Sequence, residues 1–216
     1  VAELISVNLA VPRPNPAKES GVTGIDKRPV AGPVLVRAPG PKDGGLGSGL
    51  VGDGIFDRVN HGGDDQAVYA YAREDLDAWE AELGRTLPNG AFGENLTTSG
   101  LDVTGALVGE RWRVGEQVVL EVADVRIPCR TFADWMAEHG WVKRFTVRAV
   151  PGAYLRIIVP GEIRAGDPIE VVSRPEHDVT VGLTFRALTR EPELLPRLLA
   201  ADALPDDLKE AVAKRT

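Results

Sequence analysis

The chain has 216 residues, enough for one medium domain or one domain with a small appendage, and long enough to bury a core without covalent staples. Its 25 Lys and Arg against 32 Asp and Glu give a net charge of -7, which argues against duplex nucleic acid as a partner, because phosphate contacts supply most of that affinity. The one cysteine excludes an intramolecular disulfide framework and favours a reducing compartment; with no signal-like N-terminal segment and no apolar run of membrane-spanning length, the sequence predicts a cytoplasmic protein without a membrane partner.

The 24 Gly and 16 Pro are spread along the chain, as expected for many turns between short strands. Glu3–Leu9 reads as a first strand, followed from Val11 to Pro33 by a loop with a short strand inside it. Val34–Ala38 is a short apolar strand. The stretch Pro39–Asp53 is the weakest in structural signal, because Gly44, Gly45, Gly47, Gly49 and Gly52 give the backbone much freedom. Ala67–Tyr71 reads as a strand and Arg73–Leu83 as a helix, with Leu76, Trp79 and Leu83 on one face and Gly84 as its stop. Trp112 and Val114 alternate with charged neighbours, and Val118–Val125 carries the strongest strand pattern. Thr131–His139 and Trp141–Arg148 read as short helices. Tyr154–Val159 and Ile169–Val172 read as two further strands, joined through Pro160-Gly161 and Gly166-Asp167 turns.

Near Ser173 the pattern turns helical: Val181–Leu188, Glu193–Ala201 and Asp206–Arg215 carry helical apolar spacing, and Pro192 and Pro205 suit first-turn positions. The expected architecture is mostly β with interleaved short helices, closed as a β-barrel over residues 1–172 so that no edge is left open, with a small three-helix appendage over residues 173–216.

Three motifs stand out. Gly-rich Gly44–Gly49 is not among them: no strand leads into it, no helix follows, and no Gly-Lys-Ser/Thr is present, so it reads as a loop. Hydrolase elbows and His-Glu-x-x-His are absent. In Asn60-His61-Gly62-Gly63-Asp64-Asp65-Gln66 the adjacent glycines allow backbone N–H groups close to a ligand, while His61, Asp65 and Gln66 add polar side chains; a plain polar turn is the competing reading. Phe92-Gly93-Glu94-Asn95-Leu96 is a tight turn with two polar side chains fixed in place. Arg126-Ile127-Pro128-Cys129-Arg130 lies where the strong strand ends and a helix pattern begins. Pro128 biases Ile127 toward extended backbone, and flanking Arg126 and Arg130 favour thiolate, the metal-ligating form of Cys129; an inert, buried thiol is the alternative.

Taken in order, Asp57-Arg58 with His61-Gly62-Gly63-Asp64, then Tyr71-Ala72-Arg73-Glu74, Phe92-Gly93-Glu94-Asn95-Leu96 and Pro128-Cys129 resemble the MOSC domain family, and within it the YiiM-like branch, which also carries a three-helix C-terminal domain. The segment before the cysteine departs from the branch's usual Pro-Arg-x-Pro-Cys, with Val125 in place of the first Pro. The resemblance implies a β-barrel that binds molybdenum cofactor, a molybdenum held by a pterin dithiolene, with Cys129 as a direct metal ligand and catalytic centre. It implies reduction of N-hydroxylated compounds, such as N-hydroxylated base analogues, for detoxification. A cofactor or sulfur carrier without turnover is the alternative. The cofactor's phosphate then calls for a locally basic pocket, expected from Arg58, Arg126 and Arg130, with His61, Asn95, Gln66, Gly62 and Gly63 as further cofactor contacts and Asp65 and Glu94 as catalytic groups that orient neighbours or relay protons. One cysteine cannot hold an iron–sulfur cluster, and no flavin or nicotinamide fingerprint is visible, so electrons are expected from an external donor protein.

Overall fold

The computed structural model describes residues 1–16 and 18–215. In chain order its elements are β1 (Ala2–Ala10), β2 (Arg13–Pro14), β3 (Val22–Thr23), β4 (Lys27–Pro29), β5 (Val34–Val36), β6 (Val68–Ala72), α1 (Arg73–Leu83), β7 (Leu96–Ser99), β8 (Arg111–Val114), β9 (Val118–Val125), α2 (Arg130–Met136), α3 (Trp141–Arg148), β10 (Ala153–Val159), β11 (Gly161–Ile163), β12 (Pro168–Ser173), α4 (Val181–Thr189), α5 (Leu195–Leu198) and α6 (Asp206–Ala213).

Seven strands follow the order β12-β8-β9-β10-β6-β7-β1, and a β1–β12 pairing closes them into a barrel. Closure removes the edges that an open sheet of short strands would present. The long first strand makes this possible. It pairs with β12 at Ala2 and Glu3, with β7 from Glu3 to Val7, and with β4 from Asn8 to Ala10, shifting register between Leu4 and Ser6. Only β6 and β7 run parallel among the barrel neighbours, and α1 is the crossover such a pair needs. The barrel is thus the expected mostly-β architecture with interleaved helices.

β9, α1 and α3 occupy the bounds that periodicity predicts. Strand β7 carries no such signal: its residues are Leu-Thr-Thr-Ser, and Thr97 and Thr98 are fully buried, so neither alternation nor a hydrophobic run marks it. The expected direct turn at Pro160-Gly161 is instead the start of β11, which pairs with β5 in a separate two-stranded ribbon. The helix expected over Glu193–Ala201 shrinks to a 3₁₀ turn at Pro192–Leu194 and the single turn of α5, because Pro196 has no N–H to donate. The Gly-rich stretch before Asp53 has no helix, and its only pairing is a single bridge from Leu50 to Val36, yet it is packed: Ser48 and Leu50 are buried. Gly49 lies so close to the barrel that a Cβ there would stand 2.5 Å from Ile157 Cδ1 and 2.9 Å from Ala67 O.

Outside the barrel wall, α1, α2, α3 and α4 meet in an aromatic cluster. Trp79 lies 4.8 Å from Trp141, Phe132 lies 5.2 Å from both Phe92 and Phe145, and Phe145 lies 6.0 Å from Phe185 (ring centroids). Offset and edge-on pairs of this kind fix ring orientation as well as burying area. A second apolar cluster holds the C-terminal helices together through Leu183, Ala187, Leu195, Leu198 and Val212, anchored to the barrel side by Val108. Helix α4 has a foot in each, since Val181 and Phe185 belong to the main core. Among the described residues no helix is long and apolar enough to cross a membrane.

Candidate functional site

A cleft of about 810 Å³, counting its open mouth, lies at one end of the barrel. Its walls come from segments remote in sequence: Lys18, Val22–Ile25 and Lys27 from the β2–β4 region, Gly54–Asp57 and His61 from the long β5–β6 connection, Tyr69, Asn95, Tyr154, and Arg126, Ile127 and Cys129 of the corner after β9. Val22, Ile25, Ile55, Phe56 and Ile127 give it an apolar lining, as small-molecule sites generally have.

Cys129 is a half-buried free thiol at the N-cap of α2, in extended backbone (φ -121°, ψ 173°). Its position follows from what flanks it. Upstream, β9 ends with Val125 paired to Ala153. Downstream, Phe132 anchors α2 in the aromatic cluster. The four residues between β9 and α2, Arg126 to Cys129, form a short, Pro-containing bridge between these two fixed elements.

Arg126 sits at the base of the cleft. It is buried, with its guanidinium 3.7 Å from the Phe132 ring centroid and 5.2 Å from that of Tyr69, and it donates to the Phe92 carbonyl. Burial works against its charge, but Tyr69, Tyr154 and Cys129 around it favour the cation and leave its pKa above the ordinary value. Burial in turn pushes the Tyr154 phenol up to about 12. The Tyr69 hydroxyl donates to Pro151 O at 2.7 Å.

Two lysines that sequence reasoning passed over add to this positive wall. Lys27, with only 7% of its side chain exposed, is ion-paired with Asp53 at 2.5 Å. Asp53 also accepts from Ser48 Oγ (2.7 Å), the Ala10 N–H (2.8 Å) and Asn95 Nδ2 (3.0 Å). Burial pushes the Asp53 carboxyl up, but Lys27 and these donors outweigh it and hold it below the usual carboxylate range. Burial pulls the Lys27 ammonium below its ordinary value against the attraction of Asp53. Nearer the mouth, Lys18 pairs with Asp57 at 2.8 Å, and Asn60 Nδ2 donates to the same carboxylate. The cations of the cleft are therefore Lys18, Lys27 and Arg126, with both lysines paired to carboxylates, in place of the expected set of Arg58, Arg126 and Arg130.

The remaining predicted residues divide. His61, Gly62, Gln66 and Asn95 line the cleft. Burial, with the charge of Arg126 behind it, lowers the His61 pKa to about 4, so its imidazole is neutral at pH 7. Gln66 Nε2 donates to Asp124, while its Oε1 is buried without a hydrogen-bond partner among the described residues. Asn95 is spent on scaffold: its Oδ1 accepts the Tyr69 N–H, and its Nδ2 donates to Asn8 O and Asp53.

Arg58, Arg130, Gly63, Asp65 and Glu94 are not in the cleft wall. Arg58 turns outward and donates to Gly45 O, and Arg130 is 83% exposed beside Asp134. Gly62 and Gly63 both have positive φ, and their close contacts are with the Gly-rich loop: a Cβ on Gly63 would meet Lys42 N at 2.8 Å, one on Gly62 would meet Gly47 O at 3.0 Å, and the Gly63 N–H donates to Gly47 O. Gly63 thus spends its N–H on chain-to-chain packing instead of on a ligand. Asp65 is paired with Arg156 at 2.5 Å on the barrel's outer side. Glu94 is fully buried and accepts from the Gly90 and Phe92 N–H groups and the Thr97 hydroxyl, so it clasps the turn leading into β7. Asp65 and Glu94, expected as catalytic groups, thus lie outside the cleft wall with their carboxylates engaged by Arg156 and by the turn before β7. Among the described residues no group of three or more His, Cys, Asp or Glu is arranged to hold a metal ion by itself.

The MOSC domain model matches residues 57–170, which include the whole corner around Cys129. An uncharacterized protein, YflK, of Bacillus subtilis is 33% identical over 89% of this chain and 84% of its own length, and protein YiiM of Escherichia coli is 31% identical over 77% and 76%. A protein named reductase from Gibberella moniliformis is 30% identical over 59% of this chain, a match confined to 23% of that longer protein. The crystal structure of YiiM from Geobacillus stearothermophilus superposes over 100% of this chain and 99% of its own, with a TM-score of 0.78 and 26% identity; E. coli YiiM superposes over 100% and 92%, with a TM-score of 0.73 and the same identity. The chain belongs to the MOSC domain family, on its YiiM-like side.

Proposed function

We propose that this protein is a molybdenum-cofactor-dependent reductase of N-hydroxylated compounds. MOSC membership and a reductase-named relative support an oxidoreductase-type role. The observation that carries the finer reading is the joint placement of a free thiol and a buried arginine in one apolar cleft.

The residues fit the cofactor's chemistry. A soft thiolate suits a metal already held by dithiolene sulfur, so a single cysteine is enough where no all-protein ligand set exists. Lys18, Lys27 and Arg126 offer positive charge to a phosphate. Gln66 Oε1, buried and unpartnered, suits an N–H donor such as a pterin presents. Bound there, the cofactor would supply two-electron redox chemistry at its metal.

The protein's own contribution is placement and protons. Cys129 contributes one sulfur from a corner whose two ends are fixed. Phe56, Ile25 and Ile55 give the cleft an apolar side against which a ligand's rings can pack. The neutral His61 ring has one nitrogen to donate and one to accept. Reduction of an N–OH group to amine and water consumes protons, and Lys27 Nζ, paired with Asp53, holds one at the cleft wall. Electrons come from an external donor protein.

The test is expression in a host that makes the cofactor, with molybdenum and pterin measured for wild type and Cys129→Ser. Near-stoichiometric molybdenum in the wild type, lost in the variant, is expected; equal and negligible molybdenum in both overturns the proposal. Reduced-dye turnover of an N-hydroxylated substrate by the loaded protein is then expected, and a loaded protein without turnover reverts the reading to a carrier.

A further inference from the structure

Helix α3 has two apolar faces. Trp141 and Phe145, four apart, are buried in the aromatic cluster, whereas Val142 and Val147 are 41% and 56% exposed. Together with Ala133 of α2, these two valines line an open groove that shares no lining residue with the cleft. Exposed apolar side chains gathered in one concavity, with charge at its edge, are the usual form of a protein-docking surface.

The charge of the groove is one-sided. Its lining holds one carboxylate, Glu138, already paired with Arg85 at 3.2 Å and with Arg144 at 3.6 Å. Its two cations, Lys143 and Arg190, are in no ion pair among the described residues; Arg190 only donates to Val147 O at 2.9 Å. In a chain of net charge -7, this groove complements a surface that is apolar at its centre and acidic at its rim. The mouth of the cleft offers no such surplus, because its outer lysine, Lys18, is paired with Asp57.

The position of the groove says which acidic partner. Helix α2 is a wall common to groove and cleft: Thr131 lines the cleft, Ala133 lines the groove, and the Ala133 N–H donates to Cys129 O at 3.0 Å. Ala133 thus stands one helical turn, about 5 Å of axis, from the cysteine. Trp141, also in the groove lining, lies 5.3 Å from Phe132 (ring centroids), and Phe132 carries the Arg126 guanidinium of the cleft at 3.7 Å. Contact from groove to cleft is therefore continuous through packed side chains.

We propose that the groove along α3 is the docking face for an acidic electron-donor protein, which delivers electrons across α2 while substrate occupies the cleft. The inference rests on the reductase reading. Each turnover oxidises the donor by two electrons in all; with two protons from solvent they break the N–O bond, leaving N–H on the product and releasing water.

The probe is flavodoxin, a small acidic protein that presents a flavin edge at its surface, titrated calorimetrically into the full chain. The wild type is expected to bind it and to lose affinity in high salt. Lys143→Glu and Val147→Asp, both at exposed helix positions, are each expected to weaken binding by about fivefold or more. Val59→Asp, on the exposed loop between Asp57 and His61 of the cleft wall, is expected to bind as wild type does. In cofactor-loaded protein, flavodoxin-driven turnover should fall in the two groove variants while dye-driven turnover stays unchanged. No binding by the wild type, a groove variant that binds like wild type, or a loss of affinity in Val59→Asp overturns the docking face. Loaded wild type without dye-driven turnover overturns the reductase reading instead, since the titration needs no turnover.

Discussion

The Asp53 carboxylate is the point at which the cleft and the stability of the fold meet. It ends the Gly-rich stretch and accepts from four groups on four segments: the Ala10 N–H of β1, Lys27 Nζ of β4, Ser48 Oγ, and Asn95 Nδ2 in the turn before β7. Asp53→Ala leaves Lys27 as a buried, uncompensated cation and takes an acceptor from three further donors, of which Asn95 Nδ2 keeps its bond to Asn8 O. Removing one partner of a buried pair costs about 3–5 kcal/mol, which for a domain of this size lowers Tm by roughly 10 °C or more. Lys27→Met is milder, about 1–3 kcal/mol, because the carboxylate keeps its other three donors and the methionine fills much of the lysine's volume. The expected signature is this asymmetry, read from urea melts with unchanged m-values. Because the Asp53 pKa is held down in the folded state, its contribution is present above the ordinary aspartate range and is lost as pH falls through the folded value; Asp53→Ala removes that acid-sensitive part. Asp53→Ala within about 1 kcal/mol of wild type, or Lys27→Met as the worse variant, would refute the reasoning.

Two further predictions follow from the groups around the cleft. His61, with its pKa lowered to about 4, stays neutral in the folded state while the unfolded chain protonates near 6.5. Stability should therefore fall between those values as pH drops, by about 2–3 kcal/mol in total. His61→Gln should flatten that limb, and a proton-NMR titration showing His61 ionising above pH 6 would contradict it. Glu94→Gln should cost about 1–3 kcal/mol, since an amide cannot accept from all three donors without exposing its own N–H groups to them. The pH profile of dye-driven turnover should not shift, and a profile that moves by a full pH unit would restore Glu94 as a proton-transfer group.

The elements legible in the sequence are those whose own residues carry the reason for their form. Helix α1 buries Leu76 and Trp79, spaced three apart, and stops at a glycine in left-handed conformation. In β9 the apolar positions recur down one face. Strand β7 was illegible because its burial is paid in hydroxyls: Thr97 is tolerated in the core only because its Oγ1 reaches Glu94 and receives Asn8 Nδ2, residues that the sequence alone does not bring together. The packing of the Gly-rich stretch was hidden for a related reason. Glycine signals freedom in isolation, and it becomes a close contact only when a partner surface, here Ala67 and Ile157, is brought against it.

The same distinction explains which site residues could be read. Cys129 and Arg126 belong to one continuous corner, so local sequence placed them. The other cations of the cleft come from Lys18 and from Lys27, which enters through the pairing of β4 with the far end of β1; nothing around either lysine marks it as other than a surface residue. Arg58 and Arg130 had the opposite history, adjacent in sequence to the motifs and turned outward by the fold. Sequence proximity is a poor guide to charge in a barrel mouth, because successive residues of a turn or strand face different sides, whereas strand pairing gathers remote ones. In an acidic chain, the cations of the cleft need that gathering: Lys27 is burdened by burial and holds its place only because Asp53, tied to three other segments, compensates it. The cations that share the cleft with Cys129 are thus gathered by the closed barrel and not by any one stretch of sequence.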